Sequence, residues 1–308
     1  MEMDSTQDLY APCVISDTLE EEAVHSNQLK QMWHYYKKRK VSVLGLVIVV
    51  TYILIAIFAN QIATFDPFKQ NLSRMLEAPG AVAGSPHLLG TDEIGRDLFS
   101  RLVFGTRISM QVGIVTLLIG VGLGVPLGIV SGFFGGKVDM LIMRGMDVLM
   151  SFPQMLLAIM FTSVLGTSLN NAIIAVGLTN IPRFARTARS ETLEVRTQEF
   201  IEAARALGAS NLRIIFSHVF INVLSPLIIL GTMNFGTAII TTAGLGFLGI
   251  GAQPPIPEWG AMLSNGRQYL LIAPHVCTIT GFCIMILVLG LNLMGDGLRD
   301  VLDPRLKS

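Results

Sequence analysis

Long uncharged apolar runs alternate along this chain with short polar stretches. A helix rises about 1.5 Å per residue, so about 20 apolar residues cross a hydrocarbon core of roughly 30 Å. Residues 41–59 (VSVLGLVIVVTYILIAIFA) make the first such run, directly after KKRK at 37–40. Residues 108–134 make the second. No charge occurs from 148 to 182, and GTSLNN at 166–171 divides that stretch into a third and a fourth run. Residues 219–257 are again uncharged; a fifth run extends to about 243, and a Gly/Pro-rich turn region follows. Residues 268–295 give the sixth. The pattern predicts an all-α membrane protein of about six transmembrane helices. The fourth is short and runs into Arg183 and Arg186, whose side chains are expected to snorkel to the interface.

Composition agrees. Hydrophobic residues make up 51% and charged residues 14%, against roughly 25% charged in soluble domains. Lys+Arg and Asp+Glu both number 22, so no excess of basic charge points to nucleic acid. Cys13, Cys277 and Cys283 are not spaced as a metal site or a disulfide framework. The first 36 residues are polar and acidic (Asp17, Glu20, Glu21, Glu22) and lack the apolar core of a signal peptide. They are predicted to form a flexible tail, with a short surface helix around 29–36.

Lys and Arg set orientation, because they concentrate in cytoplasmic loops. Six spans place the basic residues before the first run, Lys137 and Arg144, the six arginines from Arg183 to Arg213, and Arg299, Arg305 and Lys307 on one side. Both termini are then cytoplasmic. Residues 60–107 fall outside although they carry Lys69, Arg74, Arg96, Arg101 and Arg107. The organisation predicted is a cytoplasmic tail at 1–36, a first helix at 37–59, an extracytoplasmic loop at 60–107, a membrane core at 108–297 and a cytoplasmic tail at 298–308.

Within the core, Gly120, Gly124, Gly128 and Gly132 recur every fourth residue and line one helix face. Small residues at that spacing let a second helix approach closely in lipid, as static packing or as a sliding surface. Pro126 is expected to bend the same helix. Arg144 and Asp147 are spaced to pair on one face. The spans hold almost no ionisable groups, which argues against a proton relay. The fifth run offers neutral polar residues instead: Thr232, Asn234, Thr237 and Thr241 are candidate pathway positions, with Thr242 beside them. Sodium coupling through neutral oxygens stays open.

Residues 197–217, TQEFIEAARALGASNLRIIFS, break the pattern. Phe200, Ala203, Ala204 and Leu207 share one small apolar helix face, with Glu199, Glu202 and Arg205 off it. Gly208 is a natural stop, since glycine takes a left-handed conformation without steric cost. Ser210 is placed to cap a second short helix. A soluble helix–turn–helix between membrane spans is too tethered for DNA. It fits packing on its own bundle, an arginine patch on anionic lipid, or docking of a partner.

EAARALGASNLRIIFSHVFIN at 202–222 resembles the EAA loop of ABC importer permeases. Three further segments are similar to the dipeptide, oligopeptide and nickel branch, in its second-permease type: GTDEIGRDLFSRLVFGTRIS at 90–109, GLGFLGIGAQPPIPEWGAML at 244–263 and GDGLRDVLDPRL at 295–306. The likeness covers residues 37–306. It implies a type I ABC importer permease fold with a cytoplasmic coupling helix, in which Glu202, Ala203, Ala204 and Gly208 transmit closure of an ATPase to the spans. It also implies a second related permease, one or two cytoplasmic ABC ATPase subunits that use ATP and Mg, an extracytoplasmic solute-binding protein, and surrounding lipid. The location implied is a bacterial-type cytoplasmic membrane. One departure is Ile221 before Asn222, where the family often has proline; the start of the fifth span is then expected to be less kinked.

The remaining motifs have readings of their own. Asp92, Arg96, Asp97 and Arg101 suit an ion-pair cluster bracing a loop, or an exposed charged loop. The segment from Pro254 to Trp259 suits a turn with an interfacial aromatic anchor, or substrate contact. His87 and His275 lack a close ligand set, so no metal is expected. A phosphate-binding loop is missing: Gly135-Gly136-Lys137 is followed by Val138 where a hydroxyl is needed, and Ser131 stands in the first glycine's place. The chain is therefore expected to be no enzyme and to bind no cofactor. The function implied is a permease subunit for peptides. The alternatives are a self-sufficient secondary transporter or channel and, within the family, a path for nickel or another small solute.

Overall fold

The computed structural model describes residues 35–80 and 86–302. Of the predicted tail at 1–36, residues 1–34, with the acidic residues and Cys13, lie outside the described residues, as do Arg305 and Lys307. The elements are α1 (Lys40–Ile57), α2 (Leu98–Phe134), α3 (Gly136–Met150), α4 (Gln154–Leu165), α5 (Leu169–Arg196), α6 (Glu199–Ala206), α7 (Asn211–Ile214), α8 (Phe220–Phe247), α9 (Trp259–Gly266) and α10 (Pro274–Leu302). A π-helical turn, Ile215–Val219, joins α7 to α8 without a break, so 211–247 is one continuous rod.

Among the described residues, α1, α2, the 211–247 rod and α10 are long and apolar enough to cross a membrane. The α3–α4 pair is bent by 93° and adds a fifth crossing if the pair is one span. The six predicted runs map onto these four helices, the bent pair and α5. α5 carries its apolar residues early; Arg183, Arg186, Arg189 and Glu191 occupy its later turns.

Each break has a local cause. Gly135 ends α2 at φ +66°. Ser151-Phe152-Pro153 separates α3 from α4, because a residue before proline is pushed out of helical geometry. The predicted break at 166–171 falls between α4 and α5: Gly166 takes φ +95°, and the Ser168 hydroxyl accepts from the Asn171 amide at 3.1 Å to cap α5. Pro126 lies inside α2.

α2 starts ten residues before the predicted second run, since two arginines in those turns are satisfied by the protein. Asp97 caps its first turn by accepting from the Ser100 amide at 2.8 Å. Arg107 donates to the carbonyls of Ala56 at 2.9 Å and Ile57 at 3.3 Å, supplying partners to the unpaired end of α1. The segment predicted as a loop over 60–107 therefore ends in helix from Leu98 onward.

Of four buried apolar clusters among the described residues, the two largest hold most of the bundle. One joins α1, the first half of α2, α8, α9 and α10 around Leu98, Trp259 and Leu287. The other joins the second half of α2, α5, α6 and the start of the rod around Phe184, Ile201, Ile214 and Val223. Large apolar side chains such as Val41, Leu44, Val47 and Leu118 point outward, as a helix surface facing lipid requires.

Candidate coupling element and helix bundle

α6 is a short amphipathic helix at the end of the bundle where α5 and the rod meet. Glu199 and Glu202 occupy its first turn and Arg205 its last, complementing the helix dipole. It ends in a paired turn: the Gly208 amide donates to Arg205 O at 2.9 Å and the Ala209 amide to Ala204 O at 3.0 Å. Gly208 makes this possible at φ +81°. The Ser210 hydroxyl then accepts from the Arg213 amide at 3.4 Å and caps α7.

The residue that holds α6 to the bundle is Ile201, with no exposed surface. Ala204 and Ala209 pack partly into the same cluster. Arg205 lies over the Phe133 ring at 5.6 Å and ties α6 to the end of α2. Glu202, Ala203 and Gly208 are exposed. Of the apolar face predicted from spacing, Phe200, Ala203 and Leu207 point to solvent, with Leu207 89% exposed. Leu212 and Phe216, in the turns that follow, are exposed as well, at 67% and 68%. Sequence reasoning missed Ile201. Its signal was present, because Ile201 and Ala204 are three apart and share one helix face.

The four glycines of α2 lie on the face that meets α5. A Cβ at Gly120 would come 3.0 Å from the Phe184 ring, one at Gly124 2.7 Å from Ile181 O, and one at Gly132 2.8 Å from Thr192 Cβ. One at Gly128 would collide with the Ala185 carbonyl oxygen. Gly177 on α5 answers from the other side, 2.8 Å from Ile119 Cβ by the same construction.

The neutral polar residues of the fifth run do not share one open face. Thr232 sits against Gly295 of α10 and donates to Ile229 O at 2.8 Å. Asn234 is buried and faces α5, where its side-chain oxygen accepts from Arg183 at 2.8 Å and its amide donates to Leu230 O at 2.8 Å. Thr237 and Thr241 donate back to their own helix, to Met233 O at 3.3 Å and Thr237 O at 2.9 Å. Thr242 is buried without a partner for its hydroxyl. Arg183, although exposed, thus has a partner within the protein. Arg186 also pairs within the protein, with Asp147 at 2.6 Å, in place of the pairing predicted between Asp147 and Arg144. The difference arises because α3 lies beside α5, which brings the arginine of the second helix within reach.

At the opposite end the charged cluster is buried. Asp92 accepts from Arg96 at 2.6 Å and lies 3.3 Å from Arg101 Nε; Arg96 also reaches Glu93 at 3.0 Å. Arg101 donates to Pro67 O at 3.0 Å and Pro255 O at 3.4 Å, so one guanidinium ties the loop before α2 to the segment before α9. The exposed-loop alternative falls away. His87 is 2.9 Å from Asp97 and stacks near Phe65, with ring centroids 4.7 Å apart. Among the described residues no group of three or more His, Cys, Asp or Glu is placed to hold a metal.

Trp259 is not an interfacial anchor. It has no exposed surface, donates to Leu102 O at 3.3 Å and meets the Tyr52 ring edge-on at 6.2 Å. Gly105 leaves the space for it, since a side chain there would strike the indole. The preceding Glu258 caps α9 with both carboxyl oxygens, accepting from the Gly260 and Ala261 amides at 2.8 Å each. Burial pushes this carboxyl above its ordinary value, and the two amide hydrogen bonds pull it down in part.

Comparison with known proteins places this arrangement. Residues 124–308 match the family of binding-protein-dependent transport system inner membrane components. Residues 27–79 match the N-terminal transmembrane domain of oligopeptide transport permease C. The chain is 44% identical over its whole length, and that of the relative, to the dipeptide transport system permease protein DppC of Alkalihalophilus pseudofirmus. It is 42% identical to the glutathione transport system permease protein GsiD of Pectobacterium atrosepticum, over 91% of this chain and 92% of that one. Its fold resembles a chain of the inward-facing MetNI methionine ABC transporter, with a TM-score of 0.55 and 24% identity over 65% of this chain and 95% of that chain. The buried glycine seam, the exposed short helix and these matches agree: the chain belongs to the binding-protein-dependent transport system inner-membrane component family, in its peptide-permease branch, and has the type I ABC importer permease fold.

Proposed function

We propose that this chain is a permease subunit of an ATP-driven importer of short peptides and that α6 is its contact with a cytoplasmic ATPase. The observation that carries this reading is the division of labour on α6. Ile201 fixes the helix to the bundle, while Phe200, Ala203 and Leu207 leave an apolar face uncovered. A helix that packed only on its own bundle would bury that face. The relatives named above, one a dipeptide permease and one a glutathione permease, support the peptide substrate.

The mechanism follows from the connections. ATP and Mg are used by the ATPase subunits and not by this chain. Closure of those subunits shifts α6; the exposed Glu202, Ala203 and Gly208 form the contact, with the half-buried Ala204 linking them to the bundle. Ile201 and Arg205 pass the shift to α2 and α5, and the unbroken 211–247 rod passes it across the membrane. The glycine seam lets α2 and α5 move as a unit or slide between two packed states. A second related permease completes the pathway, and an extracytoplasmic solute-binding protein delivers peptide. Both termini and α6 are on the cytoplasmic side of the bacterial-type membrane.

A gentle-detergent pull-down of the tagged chain from its native membrane tests the assembly. Recovery of an ATPase with a phosphate-binding loop and a second permease is expected. The chain recovered alone, while a control complex survives, would favour a self-sufficient transporter.

A further inference from the structure

At the end of the bundle that carries α6, a cavity of about 730 Å³ opens between α5, α8 and α10. Its size falls within the roughly 300–1,000 Å³ of small-ligand sites. Glu191 and Glu194 line one wall, Arg299 lines another, and Ile229, Leu230 and Met233 supply apolar surface. Among the described residues neither carboxylate has an ion pair, and neither does Arg299. Groups of opposite charge thus share one cavity without meeting across it. The occupant that completes them has a cationic end, an anionic end and an apolar body.

We propose that this cavity binds a short zwitterionic peptide, its ammonium between Glu191 and Glu194 and its carboxylate on Arg299. A guanidinium takes a carboxylate through two parallel hydrogen bonds, which fixes the polarity of the ligand. The paired carboxylates repel phosphate-bearing ligands, and the apolar surface accepts a hydrophobic side chain. The site rests on the peptide reading above and adds to it a place on the α6 side where the transported molecule is held.

Equilibrium dialysis of radiolabelled alanyl-phenylalanine against the purified complex in lipid nanodiscs, without its solute-binding protein, tests the site. Saturable binding in the millimolar range or tighter is expected. Both the Glu191→Gln, Glu194→Gln double variant and Arg299→Gln should weaken it at least about tenfold, with Arg299→Lys closer to wild type. N-acetyl-alanyl-phenylalanine amide, which lacks both terminal charges, should not compete. Basal ATP hydrolysis and gel-filtration profile identify any variant that fails to assemble. No saturable binding, binding indifferent to the properly assembled variants, or equal competition by the blocked peptide would overturn the proposal. So would binding that appears only in a chain ending at Leu302, because the basic residues Arg305 and Lys307 would then be the natural occupants. Uptake of the same dipeptide by the complete system separates the two readings. Uptake without dialysis binding removes this site alone, whereas absence of uptake removes the peptide reading.

Discussion

The Arg183 guanidinium on α5 donates to the side-chain oxygen of Asn234 on α8 at 2.8 Å. This bond joins the two helices that flank α6, and Asn234 is almost wholly buried. Replacing Asn234 with leucine removes the partner that the guanidinium has on α8. The expected cost is about 1 kcal/mol, because water reaches the exposed guanidinium and replaces part of the bond. Thermal unfolding of the purified complex reads it. Asn234→Leu with wild-type stability would mean that the bond holds nothing together.

The glycine seam gives a positional prediction. Gly128→Val places atoms where the Ala185 carbonyl oxygen and Ala188 Cβ already lie, so α2 and α5 must separate. A cost of about 1–3 kcal/mol or more is expected from overpacking alone. Gly122 lies on the same helix with open space around it, and Gly122→Ala should be tolerated. Fluorescence-detected gel filtration of the two variants compares them directly. Equal yields of monodisperse protein would contradict the close approach.

Glu258 gives a pH dependence with a definite sign. Its folded-state value is raised by burial, so between the ordinary carboxylate value and the raised one the folded chain holds the proton more tightly than the unfolded chain. Stability is therefore highest below that window and falls as pH rises through it. Glu258→Gln keeps one acceptor for the α9 amides and removes the charge. The melting temperature of the variant should depend less on pH above the ordinary carboxylate range. A variant whose pH slope matches wild type would show that Glu258 contributes nothing to it.

Gly208 adopts φ +81° with nothing near the position of a Cβ. Valine there is opposed by backbone geometry alone, at about 1–2 kcal/mol or more. The turn from α6 to α7 should be displaced while the spans still insert. The expected outcome is peptide uptake reduced at least about tenfold with ATP hydrolysis retained, about 1.4 kcal/mol lost from coupling. Uptake assays in proteoliposomes alongside phosphate release measure both. Normal uptake by Gly208→Val would show that the turn geometry is dispensable.

Much of this architecture is legible in the sequence because membrane spans obey a length rule. The run at 41–59 appears almost as read, the run at 268–295 appears as a helix displaced to Pro274–Leu302, and the Gly208 stop and Ser210 cap follow from local backbone chemistry. What the sequence hides depends on pairing at a distance. Arg101 and Arg107 look like the end of a loop, yet carbonyls of Pro67, Pro255, Ala56 and Ile57 let them sit inside a helix. Asp147 looks matched to Arg144, but the neighbouring helix offers Arg186. Trp259 reads as an interfacial anchor until the gap left by Gly105, far away in the chain, is seen. The bend between α3 and α4 had a local signal, the proline at 153, within a run read only for its hydropathy. For α6, the apolar face was legible, but which part of the helix turns inward depended on Ile201 and the cluster it enters.

The contact proposed is between the uncovered face of α6 and an ATPase. A photo-reactive phenylalanine analogue in place of Leu207, the most exposed apolar residue of that face, tests it directly in the native membrane. Illumination should link the chain to an ATPase subunit, with a yield that changes when ATP is bound. The same analogue in place of Leu118, exposed within the long apolar helix α2, should give no such product. If the analogue at 207 yields only lipid adducts or links within the chain, while peptide uptake remains intact, α6 is not the coupling contact.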